Sequence, residues 1–290
     1  MPHVTPDTPT VYRPLENIVL TDGVSRTLFD EYARHRAGER GDEETGWVLM
    51  GLRLEKEAIA LATLPAGAEA EAGVAHVRFN AEAQALASRI LRQEDRRLGI
   101  LGIVHTHPGS LRHPSSGDLE GDRDWVKLLR GGEGVFGIGT ADGDTNGGAA
   151  LVATQPKPHV QCLEGLRFSW YALAEKQRSY RRLSVRLTIG PDLALPLHDV
   201  WPALERHAER LDCLCRRLAR VRFDVVPGEK EPELHAIVPL EAEESLRVVL
   251  TDGQVRYCLV RKDEWLVSDS REPCVDRGLY LMLAELAKGE

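Results

Sequence analysis

The stretch His105-Thr-His-Pro-Gly-Ser-Leu-Arg-His-Pro-Ser-Ser-Gly-Asp118 constrains this chain more than any other. It follows a short apolar run, Ile100–Val104, that reads as a buried strand. Side chains of a strand alternate faces, so His105 and His107 project to one side. Pro108 stops the strand, because it has no N–H to give a ladder. After a polar turn Ser115 opens a helix, where positions three apart share a face, so Ser115 and Asp118 sit together. The fold must therefore set a strand end against a helix start. Two imidazoles and one carboxylate converging there form a ligand set that suits zinc, and three protein ligands leave a fourth position for water. Each part also has a plainer reading. Paired histidines at a strand end occur as core or surface residues, and Ser-x-x-Asp is a capping-box signature. The specificity lies in the combination.

His105-x-His107-Pro108, followed by Ser115-x-x-Asp118 after the seven residues Pro108–Pro114, resembles the signature of the JAMM (MPN+) zinc metalloproteases. That family also carries a glutamate on an earlier strand, in a pattern like Glu-Thr-Gly-Gly-Ile-Leu-Leu-Gly. Here Glu44-Thr45-Gly46-Trp47-Val48-Leu49-Met50-Gly51 occupies that place. Trp47 departs from the pattern, which usually has a small residue there; it either brings a ring near the site or fills the core. Glu43 competes with Glu44 for the glutamate role, and the spacing to Gly51 favours Glu44. The resemblance covers roughly residues 15–175. It implies a curved mixed sheet with two main helices, Zn2+ held by His105, His107 and Asp118, and catalytic roles for Glu44 and Ser115.

A zinc ion in such a site lowers the pKa of a bound water from 15.7 towards about 7. Glu44 accepts the water's proton and later delivers it to the leaving nitrogen. Ser115 donates a hydrogen bond to the tetrahedral oxyanion, a contribution of roughly 3 kcal/mol. Similar enzymes cut the isopeptide bond between a lysine and the C-terminal glycine of a ubiquitin-like protein, or the peptide bond of its precursor. The expected partner is thus a ubiquitin-like protein or its conjugate. The arginine- and alanine-rich composition suggests a bacterial source, and analogy then suggests a bacterial conjugation pathway used in phage defence. Two other readings stand beside this one: a processing peptidase for a small sulfur-carrier protein, and a metal-free, non-catalytic MPN-type scaffold.

A chain of 290 residues with 42% hydrophobic content allows one large or two modest domains with a real core. A net charge of −8 argues against nucleic-acid binding, which needs a basic face. The five cysteines, Cys162, Cys213, Cys215, Cys258 and Cys274, have the spacing of neither a disulfide framework nor a zinc ribbon. A reducing cytoplasm is the simplest account, and neither a signal segment nor an apolar run of membrane-spanning length is evident.

Coarse patterning predicts an α/β or α+β domain over 15–190, preceded by an extended lead-in at 1–14, and a smaller accessory α+β domain over 191–290. In the first, strands are expected at Ile18–Leu20, Thr45–Leu52, Ala58–Leu64, Ala75–Phe79, the His105 run, Val135–Thr140, Ala149–Thr154 and Leu166–Leu173. Helices are expected after a cap at Asp22 or Ser25, over Ala81–Glu94 capped by Asn80, and from Ser116 to about Leu129. Asp142–Gly147 reads as a hairpin turn. Leu129-Arg-Gly-Gly132 matches the tail of ubiquitin but reads as a helix stop. The second domain is expected as helix, antiparallel meander and closing helix, with His198, His207 and His235 at the surface. Loops Pro65–Gly73 and Gly109–His113 are expected to flank the site and set selectivity, with His113 in solvent.

Overall fold

Runs such as Trp47-Val-Leu-Met50 and Gly134-Val-Phe-Gly-Ile138 are apolar on both faces of a strand, so a sheet made of them needs cover on both sides. The computed structural model describes residues 11–67, 72–73, 76–77, 79–143, 153–240, 243–262 and 264–288. Its elements begin β1 (Asn17–Thr21), α1 (Asp22–Ala37), β2 (Gly46–Arg53), β3 (Glu57–Pro65), β4 (Ala72–Gly73), β5 (His76–Val77), α2 (Ala81–Glu94), β6 (Gly99–Thr106) and α3 (Ser116–Val126). They continue β7 (Glu133–Thr140), β8 (Thr154–Lys157), β9 (Val160–Leu163), β10 (Leu166–Ala174), β11 (Arg181–Arg182), β12 (Ser184–Thr188), α4 (Leu195–Asp199) and α5 (Trp201–Arg217). Strands β13 (Arg222–Val226), β14 (Glu233–Pro239), β15 (Glu244–Leu250), β16 (Val255–Arg261) and β17 (Glu264–Val267) precede α6 (Val275–Leu286).

Packing divides these elements into two units. The first holds β1–β12, α1 and α3; the second holds α2, α4–α6 and β13–β17. The first unit is a curled mixed sheet ordered β12-β1-β3-β2-β6-β7-β10-β9-β8, with β11 paired to β10. Helix α1 covers one face. Its Val24, Leu28, Phe29 and Tyr32 enter a core with Ile18, Leu20, Trp47, Leu49, Val104, Phe168 and Trp170. Phe29 stands edge-on to Phe168 at 4.9 Å, and Trp47 does so at 6.3 Å. Gly137 and Gly139 of β7 admit these rings: a Cβ at 139 would lie 2.8 Å from Phe168, and one at 137 would lie 3.0 Å from Trp170. Phe136 and Ile138 point the other way, towards the side where α3 packs against β7 and β10.

The second unit is an antiparallel meander, β13-β14-β15-β16-β17. Leu234, Ala236 and Val238 pair with Leu250, Val248 and Leu246 to make one apolar face. Helices α5 and α6 supply Leu204, Leu211, Leu214, Val275 and Leu279 as its cover. Helix α2 packs against α5, so a segment from the first half of the sequence joins the second unit. A division drawn along the sequence at 190/191 does not express this, because an amphipathic stripe shows that α2 needs a partner but not which one.

Several local expectations are corrected. Helix α1 is capped by Thr21, whose hydroxyl accepts from Val24 N–H, rather than by Asp22 or Ser25. Helix α3 ends at Val126, short of Leu129, and Gly131 and Gly132 then turn the chain with φ of +78° and +61°. The hairpin of β8 and β9 and the edge strand β17 were not anticipated. Strands β8 and β17 are short and wholly exposed, so no alternation marks them. Of Ala75–Phe79, His76–Val77 is strand and pairs with Ala72–Gly73, while Ala75 and Arg78 lie outside the described residues. Residues 1–10, 68–71, 144–147 and 149–152, on which parts of the lead-in, the Pro65–Gly73 loop, the Asp142–Gly147 turn and the Ala149–Thr154 strand fall, lie outside the described residues. His235 is buried against Glu233 and Trp265 rather than at the surface. All five cysteines are free thiols. Among the described residues, no helix is long and apolar enough to cross a membrane.

Candidate metal centre

Strand β6 is central, paired antiparallel to β2 and parallel to β7. A bulge at Leu101, opposite the Leu49–Met50 step, bends it. Gly102 follows with φ of +153°, and a Cβ there would collide with the Val135 carbonyl, so only glycine fits. Beyond the bulge the register is regular. Gly46 lies opposite His105, and Thr45 and Thr106 exchange hydrogen bonds of 2.9 Å. One further step sets Glu44 opposite His107. Since alternate residues share a face, Glu44, Gly46, His105 and His107 all present to the side on which Ile138 sits. The backbone of β6 runs on past its last strand residue, with His107 N–H bonded to the Gly139 carbonyl at 2.8 Å, before Pro108 stops it.

Helix α3 brings the carboxylate. Ser115 caps it: its Oγ accepts from Asp118 N–H at 3.2 Å, and Asp118 Oδ2 accepts from Ser115 N–H at 2.5 Å. The capping box and the ligand reading are thus compatible, because the box uses Oδ2 and turns the carboxylate toward the histidines. His105 Nε2 and His107 Nε2 are 3.1 Å apart; Asp118 Oδ1 is 3.3 Å from the first and Oδ2 is 3.4 Å from the second. One ligand atom from each of the three residues lies within 4.8 Å of the others, so this nitrogen and oxygen donor set could hold a divalent ion, and its chemistry suits zinc. His105 and His107 are buried. His107 Nδ1 donates to the Leu111 carbonyl at 2.7 Å, which leaves the Nε2 lone pair for a metal.

The electrostatics agree with a cation site. Burial pulls the His107 imidazole down, but its bonds to Asp118 and the Leu111 carbonyl, with the charges of Asp118 and Glu44, outweigh it and hold the pKa above the ordinary value. Burial pushes Asp118 up, yet hydrogen bonds from His105, His107 and Ser115 and the His105 charge hold it well below the usual carboxylate range. A divalent ion at this site would compete with protons for the imidazole nitrogens.

Glu44 is buried, at 6% exposure, and its charge acts on His107. Glu43 is instead drawn to the surface by Arg40, at 2.7 Å. Trp47 pairs across β2 and β6 with Val104, on the face away from the histidines, where it fills the core. Its Nε1 donates to Glu31. His113 is exposed. One group at the site had no sequence signal beyond its place a turn after Asp118. Asp122 is 3% exposed and accepts from the Tyr180 hydroxyl at 2.6 Å, with burial pushing its carboxyl up to about 7.

A curled mixed sheet that joins two imidazoles at a strand end to a capped helix carboxylate defines an α+β domain with a group that could hold a metal ion. Residues 25–157 match the family described as prokaryotic homologs of the JAB domain. Two solved structures resemble it. One is the solution structure of protein DSY2949 from Desulfitobacterium hafniense, 16% identical, covering 60% of this chain and 94% of that one at a TM-score of 0.38. The other is the crystal structure of AF2198, a JAB1/MPN domain protein from Archaeoglobus fulgidus, 15% identical, covering 59% and 98% at a TM-score of 0.27. A comparison with curated proteins gives no match.

Proposed function

We propose that this chain is a zinc-dependent isopeptidase or peptidase that cleaves the amide bond after the C-terminal glycine of a ubiquitin-like modifier. The observation that carries the reading is the complete donor set, His105, His107 and Asp118, with the buried Glu44 near enough for its charge to act on His107. Zinc held by His105, His107 and Asp118 would supply Lewis-acid chemistry and make a water more acidic. Glu44 is the buried carboxylate that would take a proton from the attacking water and return it to the leaving nitrogen. The Ser115 Oγ already accepts one N–H, so its own O–H remains to donate to the oxyanion. His107 stays oriented by Leu111, and Asp118 by its bond from Ser115 N–H. No residue serves as a covalent nucleophile, so none of the thiols is needed. A scaffold role without metal does not account for a donor set kept complete beside the glutamate.

The test uses zinc-loaded protein with ubiquitin-like proteins from neighbouring genes, each joined through its C-terminal glycine either to a lysine side chain or to a linear extension. Mass spectrometry reads the products. Cleavage after the glycine, blocked by a chelator and restored by zinc, is expected. Preference for the linear extension would move the substrate to a sulfur-carrier-type precursor. Cleavage indifferent to chelation would refute the metal reading.

A further inference from the structure

The loop from Pro108 to Pro114 carries the carbonyl that orients His107, yet the side chain next to that carbonyl holds nothing in place: Leu111 is 41% exposed. The following residue is what is fastened. The Arg112 carbonyl accepts from the Tyr171 hydroxyl at 2.9 Å. The Arg112 guanidinium bonds to Asp142 Oδ2 at 2.6 Å and to the Asp142 carbonyl at 3.2 Å. Asp142 Oδ1 in turn accepts from the Thr140 hydroxyl at 2.6 Å, and Thr140 is the fully buried last residue of β7. Tyr171, on β10, is 8% exposed and stands in register with Phe136 of β7. Two neighbouring strands of the central sheet therefore grip one loop residue from two sides. The Leu111 carbonyl on His107 Nδ1 belongs to the peptide unit next to the one Tyr171 holds, only the φ and ψ of Arg112 away, so fixing Arg112 narrows where that oxygen can lie.

We infer that Tyr171, Arg112 and Asp142 are positioning residues that set the zinc affinity of the site by locating the Leu111 carbonyl. An imidazole ligand needs its second nitrogen satisfied to hold ring orientation and tautomer, and loss of such outer partners typically weakens metal binding about 10–100-fold. The Arg112–Asp142 pair is half exposed, with side chains 50% and 26% accessible, so it is the weaker grip. The buried Tyr171 hydroxyl is the stronger. This inference rests on the metal reading of His105, His107 and Asp118.

The experiment measures zinc affinity by competition with a chromophoric chelator, together with thermal midpoints of the zinc-free and zinc-loaded protein. Tyr171→Phe keeps the ring, which packs against Tyr180 and His159, and removes only the donor. It is expected to raise the zinc Kd about tenfold and to lower the zinc-loaded midpoint by more than the zinc-free one. Asp142→Asn is expected to raise Kd by about threefold, in keeping with a weaker, exposed grip. A purely structural role for Tyr171 would lower both midpoints together without moving Kd. A Kd within twofold of the parent in Tyr171→Phe overturns the inference and leaves the metal site standing. Absence of zinc uptake by the parent protein overturns the metal reading, and the inference with it.

Discussion

The assignment of the proton carrier can be separated cleanly, because two adjacent glutamates sit in opposite environments. Glu44 is 6% exposed, two residues before Gly46, the partner of His105, and its charge acts on the His107 imidazole. The Glu43 side chain is 33% exposed and holds Arg40. Replacing Glu44 with Gln keeps the shape and removes the proposed base. A general acid–base group contributes about 10²–10⁴ in rate, which is about 3–5 kcal/mol of barrier, so kcat should fall by that factor. Zinc content should stay equal to that of the parent, since the three ligands are untouched. The pH midpoint of zinc uptake should also move down. The Glu44 charge helps hold His107 protonated, and without it the proton competes less with the ion. Glu43→Gln removes an exposed ion pair whose stability contribution lies between 0 and about 1 kcal/mol, and should leave kcat within twofold. The assay is single-turnover cleavage of the modifier conjugate at saturating enzyme, run beside zinc quantification. Activity above a tenth of the parent in Glu44→Gln, with loss in Glu43→Gln, would refute the assignment.

Other substitutions probe the frame around the site. Asp118→Ala should abolish zinc binding and, by breaking the capping box, cost about 1 kcal/mol of zinc-free stability; Asp118→Asn should recover the stability but not the metal, which denaturation and zinc titration together would show. Burial raises the Asp122 carboxyl to about 7, so the folded state loses stability as pH rises from the unfolded value near 4 through 7, up to about 4 kcal/mol in all. Asp122→Asn should therefore stabilise the zinc-free protein more at pH 8 than at pH 5, by on the order of 2 kcal/mol in urea denaturation, and an equal gain at both would contradict this. Trp47→Ala should cost about 3–5 kcal/mol by opening a core cavity yet leave zinc affinity within a few-fold, because the ring lies on the other face of the sheet.

Much of the site was legible because its geometry is local. The two histidines differ by two residues on a strand and must share a face; Ser115 and Asp118 differ by three at a helix start and must share a turn. Short range also made β2, β3, α2, α5 and the meander β13–β16 readable, since alternation or a helical stripe runs through each. The helix cap at Thr21 and the early end of α3 were not readable, because several residues there satisfy the same rule and packing selects among them. The edge strands β8 and β17 carry no pattern, as every residue of each stays exposed.

The sequence alone determined that a strand end, a proline stop and a capped helix would bring two imidazoles and a carboxylate together, since each step depends on neighbours within a few bonds. Only the tertiary structure decided which glutamate turns inward, that Trp47 belongs to the core, and that α2 packs with the C-terminal elements. It also decided that Tyr171 and Asp142, 64 and 35 residues beyond His107, reach the loop that aims it. Those outcomes depend on which strands become neighbours. That choice is made by the burial of whole faces across the sheet, where separation along the chain carries almost no information.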